Sequence, residues 1–194
     1  DSDRVCVTTC NRPLLATSRT IGQGQVDALR DRLLEINPEA NITAYQKIYQ
    51  AETAEEFHME EYDYIIDAID SLKDKADLIL RATALPKEIT FVSSMGAALR
   101  RDPFMVRKAE FWKVDGDPLA RALRKKFKKN KTFPRRKFQC VFSEEKPMQN
   151  MSDQRLVEDE WTSTKPQING SLCHITATFG MAIAGIVINH IIER

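Results

Sequence analysis

Along the 194-residue chain, apolar positions switch between short continuous runs and stretches spaced for helix. The opening stretch, DSDRVCVTTCNRP, has an apolar stub (Val5, Cys6, Val7) running into a polar loop, and it predicts the end of a buried strand. In IGQGQVDALRDRLLEINPEA, Val26, Leu29, Leu33 and Ile36 fall at helical spacing, and Asn-Pro closes the segment. NITAYQ alternates as a strand would, and TAEEFHMEEY reads as a short acidic helix or turn. YDYIIDAID is a continuous apolar run ending in acids, which suits a strand buried on both faces. SLKDKADLILRATAL predicts an amphipathic helix capped by Ser71, and EITFVSSMGA another buried strand.

The second half continues with a strand in MVRKAEFWKV and a helix in DPLARALRKKFKK, with Asp117 at the cap and Pro118 in the first turn. FQCVFS predicts a further strand, and residues 144–169 are polar enough for a mobile loop. The tail, ITATFGMAIAGIVINHII, nears the roughly 20 apolar residues of a membrane span. Thr176, Thr178, Asn189 and His190 interrupt it, so a core or dimer-interface helix fits better and membrane association is not expected. Strands alternating with helices at this spacing call for an α/β fold with a mostly parallel sheet and flanking helices. In such sheets ligands bind beyond the carboxyl ends of the strands, which draws attention to Asp1, Asp3, Asp67, Asp70, Ser93 and Ser94.

Composition changes this picture little. Hydrophobic content of 42% and charged content of 29% describe an ordinary globular chain. The four cysteines (Cys6, Cys10, Cys140, Cys173) form no CxxC pair, which argues against a four-cysteine zinc site and suits reduced thiols in a cytoplasmic protein. Cys140 and Cys173 are expected in the core. His58, His174 and His190 lack partners at metal-ligand spacing, so structural roles are expected.

Charge does change the picture, because a net charge of only +1 hides one local concentration. Ten lysines and arginines, with no acid among them, lie between Arg121 and Lys137: Arg121, Arg124, Lys125, Lys126, Lys128, Lys129, Lys131, Arg135, Arg136 and Lys137. Such a run releases counterions from a phosphate backbone. Phe127, Phe133 and Phe138 are interleaved with it; their spacing favours the core, with base stacking the alternative.

The strand-end acids also carry chemistry. A carboxylate at a strand end offers two acceptor oxygens to a ribose, a role open to Asp1 or Asp3. Asp70 suits magnesium, a hard cation, and the Arg12 guanidinium suits phosphate. Taken together, DSDRVCVTTCNRP, IGQGQVDALRDRLLEINP and YDYIIDAIDS resemble the ubiquitin-activating-enzyme-like adenylating superfamily. DPLARALRKKFKK, CVFSEEKP and TATFGMAIAG resemble its branch of tRNA threonylcarbamoyladenosine dehydratases.

That resemblance implies a Rossmann-like fold, with residues 1–100 a partial nucleotide-binding region and 101–194 the remainder of the same domain. It implies ATP and magnesium as cofactors, tRNA rather than DNA as partner, and a homodimer. It also implies AMP transfer to the carboxylate of a threonyl group on a modified adenosine beside the anticodon, followed by ring closure. By position, Asp1, Asp3, Asn11, Arg12 and Gln25 would face the nucleotide. Arg12 and Asp70 would serve the chemistry, with Asp70 on magnesium. The family's glycine-rich phosphate loop is expected on a strand before Asp1 and is absent from the sequence; Gly22 and Gly24 in IGQGQV do not replace it. Thr9, Pro13 and Gln25 stand where the family has asparagine, glutamine and lysine. Glutamine cannot offset triphosphate charge, and loss of one such donor costs about 10²–10³ in rate. These 194 residues alone are therefore expected to transfer no AMP. A non-catalytic RNA- or protein-binding relative, and an activator of a ubiquitin-like sulfur-transfer partner, are the alternatives.

Overall fold

The computed structural model describes residues 1–150 and 170–194. Four strands form one sheet in the order β1-β2-β4-β3. β1 (Tyr64–Asp67) and β2 (Thr90–Ser94) are parallel, β2 and β4 (Gln139–Ser143) are parallel, and β3 (Val106–Glu110) returns antiparallel along β4. The expected mostly parallel α/β sheet is thus present.

Among the described residues four α-helices accompany it: α1 (Gln25–Ile36), α2 (Leu72–Ala84), α3 (Pro118–Asn130) and α4 (Cys173–Ile192). One core joins Ile79 and Ala82 of α2 and Leu123 and Phe127 of α3 to Phe91 and Cys140 of the sheet and to Phe138, which precedes β4. On a second face, Ile175, Phe179 and Ile183 of α4 pack against Val92 and Val141. Their spacing of four residues is one helical stripe. α4 is long and apolar enough to cross a membrane, and Met181, Ile188, Ile191 and Ile192 lie exposed on it.

The caps follow the sequence. Ser71 Oγ accepts from Asp74 N, and Asp117 Oδ1 accepts from Ala120 N at 2.8 Å. Asp117 Oδ2 also accepts from Gly96 N at 3.1 Å, tying the loop after β2 to α3. A Cβ on Gly96 would lie 3.3 Å from that oxygen, a tight contact that a larger residue could make only if the Asp117 carboxylate shifted by a few tenths of an ångström.

Several elements differ from expectation. The opening stub forms no strand; a single antiparallel bridge joins Arg4 to Gly24, and Val7–Thr9 is a 3-10 turn. Only Val5 of the stub is buried, held by hydrogen bonds with Gln23 and Gly22, whereas Val7 is exposed. NITAYQ also forms no strand: its alternation meets no neighbouring ladder among the described residues. The strand expected through Val114 ends at Glu110, where Phe111–Lys113 turn as a 3-10 helix. TAEEFHMEEY forms two 3-10 turns, Ala54–Phe57 and Met59–Glu61. The polar loop expected over 144–169 lies, from residue 151 onward, outside the described residues.

Candidate functional site

The carboxyl ends of β1 and β2 carry a buried, fully partnered polar cluster. Asp67 ends β1 fully buried; its Oδ2 accepts from Ser93 Oγ of β2 at 2.6 Å and lies 2.8 Å from Lys75 Nζ of α2. Burying two charges is tolerable only with good geometry and further hydrogen bonds. Both are supplied by the turn that follows β1: Ile69 N donates to Asp67 Oδ1 at 3.0 Å, and Lys75 Nζ donates to Ile69 O at 3.0 Å. The backbone of Ile69 is thereby held at both its polar groups. Asp70 comes next in the chain and is exposed at the strand end.

The remaining expected nucleotide contacts fall into two groups. Asp1 Oδ1 accepts from Asp3 N at 2.9 Å, Asp3 O accepts from Gln25 N at 2.9 Å, and Gln25 Nε2 donates to Arg4 O at 3.4 Å. Asp1, Asp3 and the half-buried Gln25 therefore share one corner, at the start of α1. Asn11 and Arg12 lie elsewhere: Arg12 Nη1 donates to Thr8 O and to Asn11 Oδ1, and Asn11 Nδ2 donates to Ser171 O before α4. Both are exposed.

Magnesium usually takes one or two carboxylates and completes its shell with water and substrate phosphates. An exposed strand-end carboxylate at Asp70 fits that sparse demand. Among the described residues no cluster of three or more histidine, cysteine or acidic side chains could cage a metal ion.

The basic segment divides by role. Arg121, Lys125, Lys128 and Lys129 are exposed and, with Arg124, line a shallow concavity on α3. Arg124 Nη1 donates to Phe111 O and Val114 O, and the Arg136 guanidinium donates to the carbonyls of Ala82, Pro86 and Ile89. These two guanidiniums brace the backbone. Lys126 is half-buried, while Lys131, Arg135 and Lys137 are exposed beyond or at the end of the helix. Phe127 and Phe138 are core residues as their spacing suggested, but Phe133 is exposed.

Of the two cysteines expected in the core, one is buried and one is not. Cys140 is buried, whereas Cys173, expected in the core, is exposed at the start of α4. His190 shares a hydrogen bond with Tyr64 Oη at 3.0 Å, and His174 Nε2 lies 2.9 Å from Arg101 O.

Lys75 escaped notice because a lysine in an amphipathic helix reads as solvated. Its phase with Ile79 and Ala82 on the buried face was the signal that marks it.

Comparison with known proteins narrows the reading. Residues 1–194 match the ThiF family. A tRNA threonylcarbamoyladenosine dehydratase of Bacillus subtilis (strain 168) is 37% identical over 155 residues, covering 80% of this chain and 59% of the relative. The corresponding protein of Haemophilus influenzae is 33% identical over 207 residues, covering 100% of this chain and 75% of its own length. The crystal structure of the Escherichia coli tRNA N6-threonylcarbamoyladenosine dehydratase with AMP superposes with a TM-score of 0.82 at 28% identity, covering 100% of this chain and 74% of that one. The same enzyme in complex with ATP gives 0.80 at 27% identity over the same shares. The chain spans between about three fifths and three quarters of these relatives. With the whole sequence matched and the sheet reproduced, this chain belongs to the ThiF family.

Proposed function

We propose that this chain serves an ATP-dependent tRNA threonylcarbamoyladenosine dehydratase. The carrying observation is its correspondence, over its entire length, to an enzyme of that name solved with ATP and with AMP. In this reading the carboxylate of threonylcarbamoyladenosine attacks the α-phosphorus of ATP and pyrophosphate leaves. An internal nucleophile then displaces AMP and closes the ring. Magnesium would neutralise the leaving pyrophosphate. Such chemistry asks the protein for placement and charge compensation more than for proton transfer.

Asp70 is the residue best suited to that work, because the buried Asp67–Lys75 pair fixes the turn from which it projects. Asp1 and Asp3 are assigned to the ribose, and Arg12 with Asn11 to phosphate. The exposed cations of α3 are assigned to tRNA. The exposed apolar side of α4, with Met181 and Ile188, is assigned to a homodimer, and the setting to the cytoplasm.

The test is ATP–pyrophosphate exchange by the full-length protein with tRNA bearing threonylcarbamoyladenosine. Exchange that requires this tRNA and collapses in Asp70→Asn supports the reading. Equal exchange with unmodified tRNA, or an undiminished Asp70→Asn variant, overturns it.

A second reading, a non-catalytic RNA-binding relative, is favoured by Gln25 alone: its amide nitrogen is spent on Arg4 O and brings no positive charge. Gln25→Lys in the full-length protein discriminates. Activity gained only on that substitution favours the second reading; activity already present without it favours the first.

A further inference from the structure

Phe111–Lys113 form a tight 3-10 turn at the end of β3, and this turn sets two aromatic rings in opposite environments. Phe111 is wholly buried, stacked on Phe138 with centroids 5.0 Å apart. Trp112, the next residue, is turned outward and 39% exposed. Its backbone N–H donates to Glu110 Oε2 at 3.1 Å, which fixes the turn. Beside it lies Phe133, 51% exposed, at a centroid distance of 6.3 Å and an interplanar angle of 42°. Phe133 follows α3 immediately, three residues after Asn130.

Phe133 leaves half of its surface in water and Trp112 beside it more than a third, an apolar pair at the surface that calls for an explanation, since large rings are drawn to bury their area. Their surroundings supply one. Arg124 of α3 donates to Phe111 O at 3.1 Å and to Val114 O at 2.8 Å, so the helix is fastened to both ends of the turn that carries Trp112. Arg124 also lines the α3 concavity with Arg121, Lys125, Lys128 and Lys129. Arg121, Lys125, Lys128 and Lys129 recur at the spacing of one helical face. No acid interrupts the chain from Arg121 to Lys137. A partly exposed aromatic pair is thus tied, through Arg124, to the helix that carries a row of cations.

We infer that Trp112 and Phe133 form a stacking platform for unpaired bases of an RNA loop, whose phosphates run along Arg121, Lys125, Lys128 and Lys129. Cations tracking the backbone and rings receiving the bases are the two parts of a single-strand binding surface. A paired stem presents phosphates but keeps its bases stacked on one another, so it would engage the cations and leave the rings untouched. This inference rests on the assignment of tRNA as substrate and specifies where its single-stranded part lies.

The chain has two tryptophans, Trp112 and Trp161, so a Trp161→Phe background leaves Trp112 as the sole indole reporter. In the full chain, titration with tRNA and with a hairpin RNA should quench Trp112 fluorescence. A blunt RNA duplex of equal phosphate number should not. Trp112→Ala and Phe133→Ala should each weaken hairpin binding about tenfold and leave duplex binding unchanged. Replacing Lys125, Lys128 and Lys129 together by Gln should weaken both and reduce the salt slope for single strands by about 2. If tRNA is bound but the aromatic variants bind hairpin normally, or the duplex quenches equally, the platform is refuted and the tRNA assignment stands. If no tRNA is bound at all, both fall together.

Discussion

Lys75 Nζ lies 2.8 Å from Asp67 Oδ2 with neither side chain reached by solvent, and both groups also grip the backbone of Ile69. The pair is therefore a structural clamp on the turn that carries Asp70, as well as an ion pair. Lys75→Met removes the cation and strands a buried carboxylate, a change that costs about 3–5 kcal/mol. Urea denaturation should show that loss. The double variant Lys75→Met with Asp67→Leu should recover part of it, because no unpaired charge then remains.

Phe179 fastens α4 to the sheet through Val92 and Val141. Phe179→Ala should cost about 3–5 kcal/mol by removing a buried ring. Met181, two residues on, is 74% exposed, and Met181→Ala should shift monomer stability by no more than about 0.5 kcal/mol. Thermal unfolding of the two variants side by side checks the contrast.

Much of this fold was legible in the sequence, and the failures share a cause. β2 and β4 were marked by continuous apolar runs because each is packed between neighbours and helices, whereas β1, expected to be buried on both faces, lies at the edge of the described sheet and leaves Ile66 exposed. Ser71 and Asp117 were marked as caps because a cap depends on only a few adjacent residues. The opening stub and NITAYQ looked like strands from their own residues, but strand pairing depends on a neighbour that local pattern cannot supply. The candidate site was legible in part: Asp67 and Asp70 stood out as strand-end acids, while Lys75 did not. Among the basic residues, composition could not separate Lys125 and Lys128, which face water, from Arg136, which braces three carbonyls.

Glu145 makes acid stability partly predictable. Its Oε2 accepts from Arg101 N at 2.9 Å and Asp102 N at 3.0 Å. Burial alone would raise its carboxyl, but those amides, with the guanidiniums of Arg100 and Arg101, outweigh burial and hold it below its ordinary 4.5. A carboxyl lowered on folding contributes stability above its unfolded value, and that contribution drains away as pH falls through the folded value. Stability should therefore drop below about pH 4.5 more steeply in the unsubstituted protein than in Glu145→Gln. Denaturation midpoints measured from pH 6 downward decide the matter.

The cysteines should separate by reactivity. Burial pushes the Cys140 thiol far above its ordinary value, so the native protein should leave it unalkylated until it unfolds. Burial also pushes Cys6 upward, but hydrogen bonds from Thr8 and Thr9 outweigh it and favour the thiolate. Iodoacetamide labelling followed by peptide mass spectrometry should show Cys6 modified at a pH where an ordinary thiol is still largely protonated, and Cys140 modified only in denaturant.

The order of the sheet has a consequence for the protein's synthesis. β2 and β4 meet along one short ladder, Val92 to Ser94 against Gln139 to Val141, and the face of that seam is covered by α4. The ribosome completes α4 after every strand that it covers. Until Phe179 and Ile183 emerge, Val92 and Val141 must wait with that side bare. The nascent sheet is then open to adhesion with other chains, and a chaperone that shields apolar surfaces would find its opportunity in that interval.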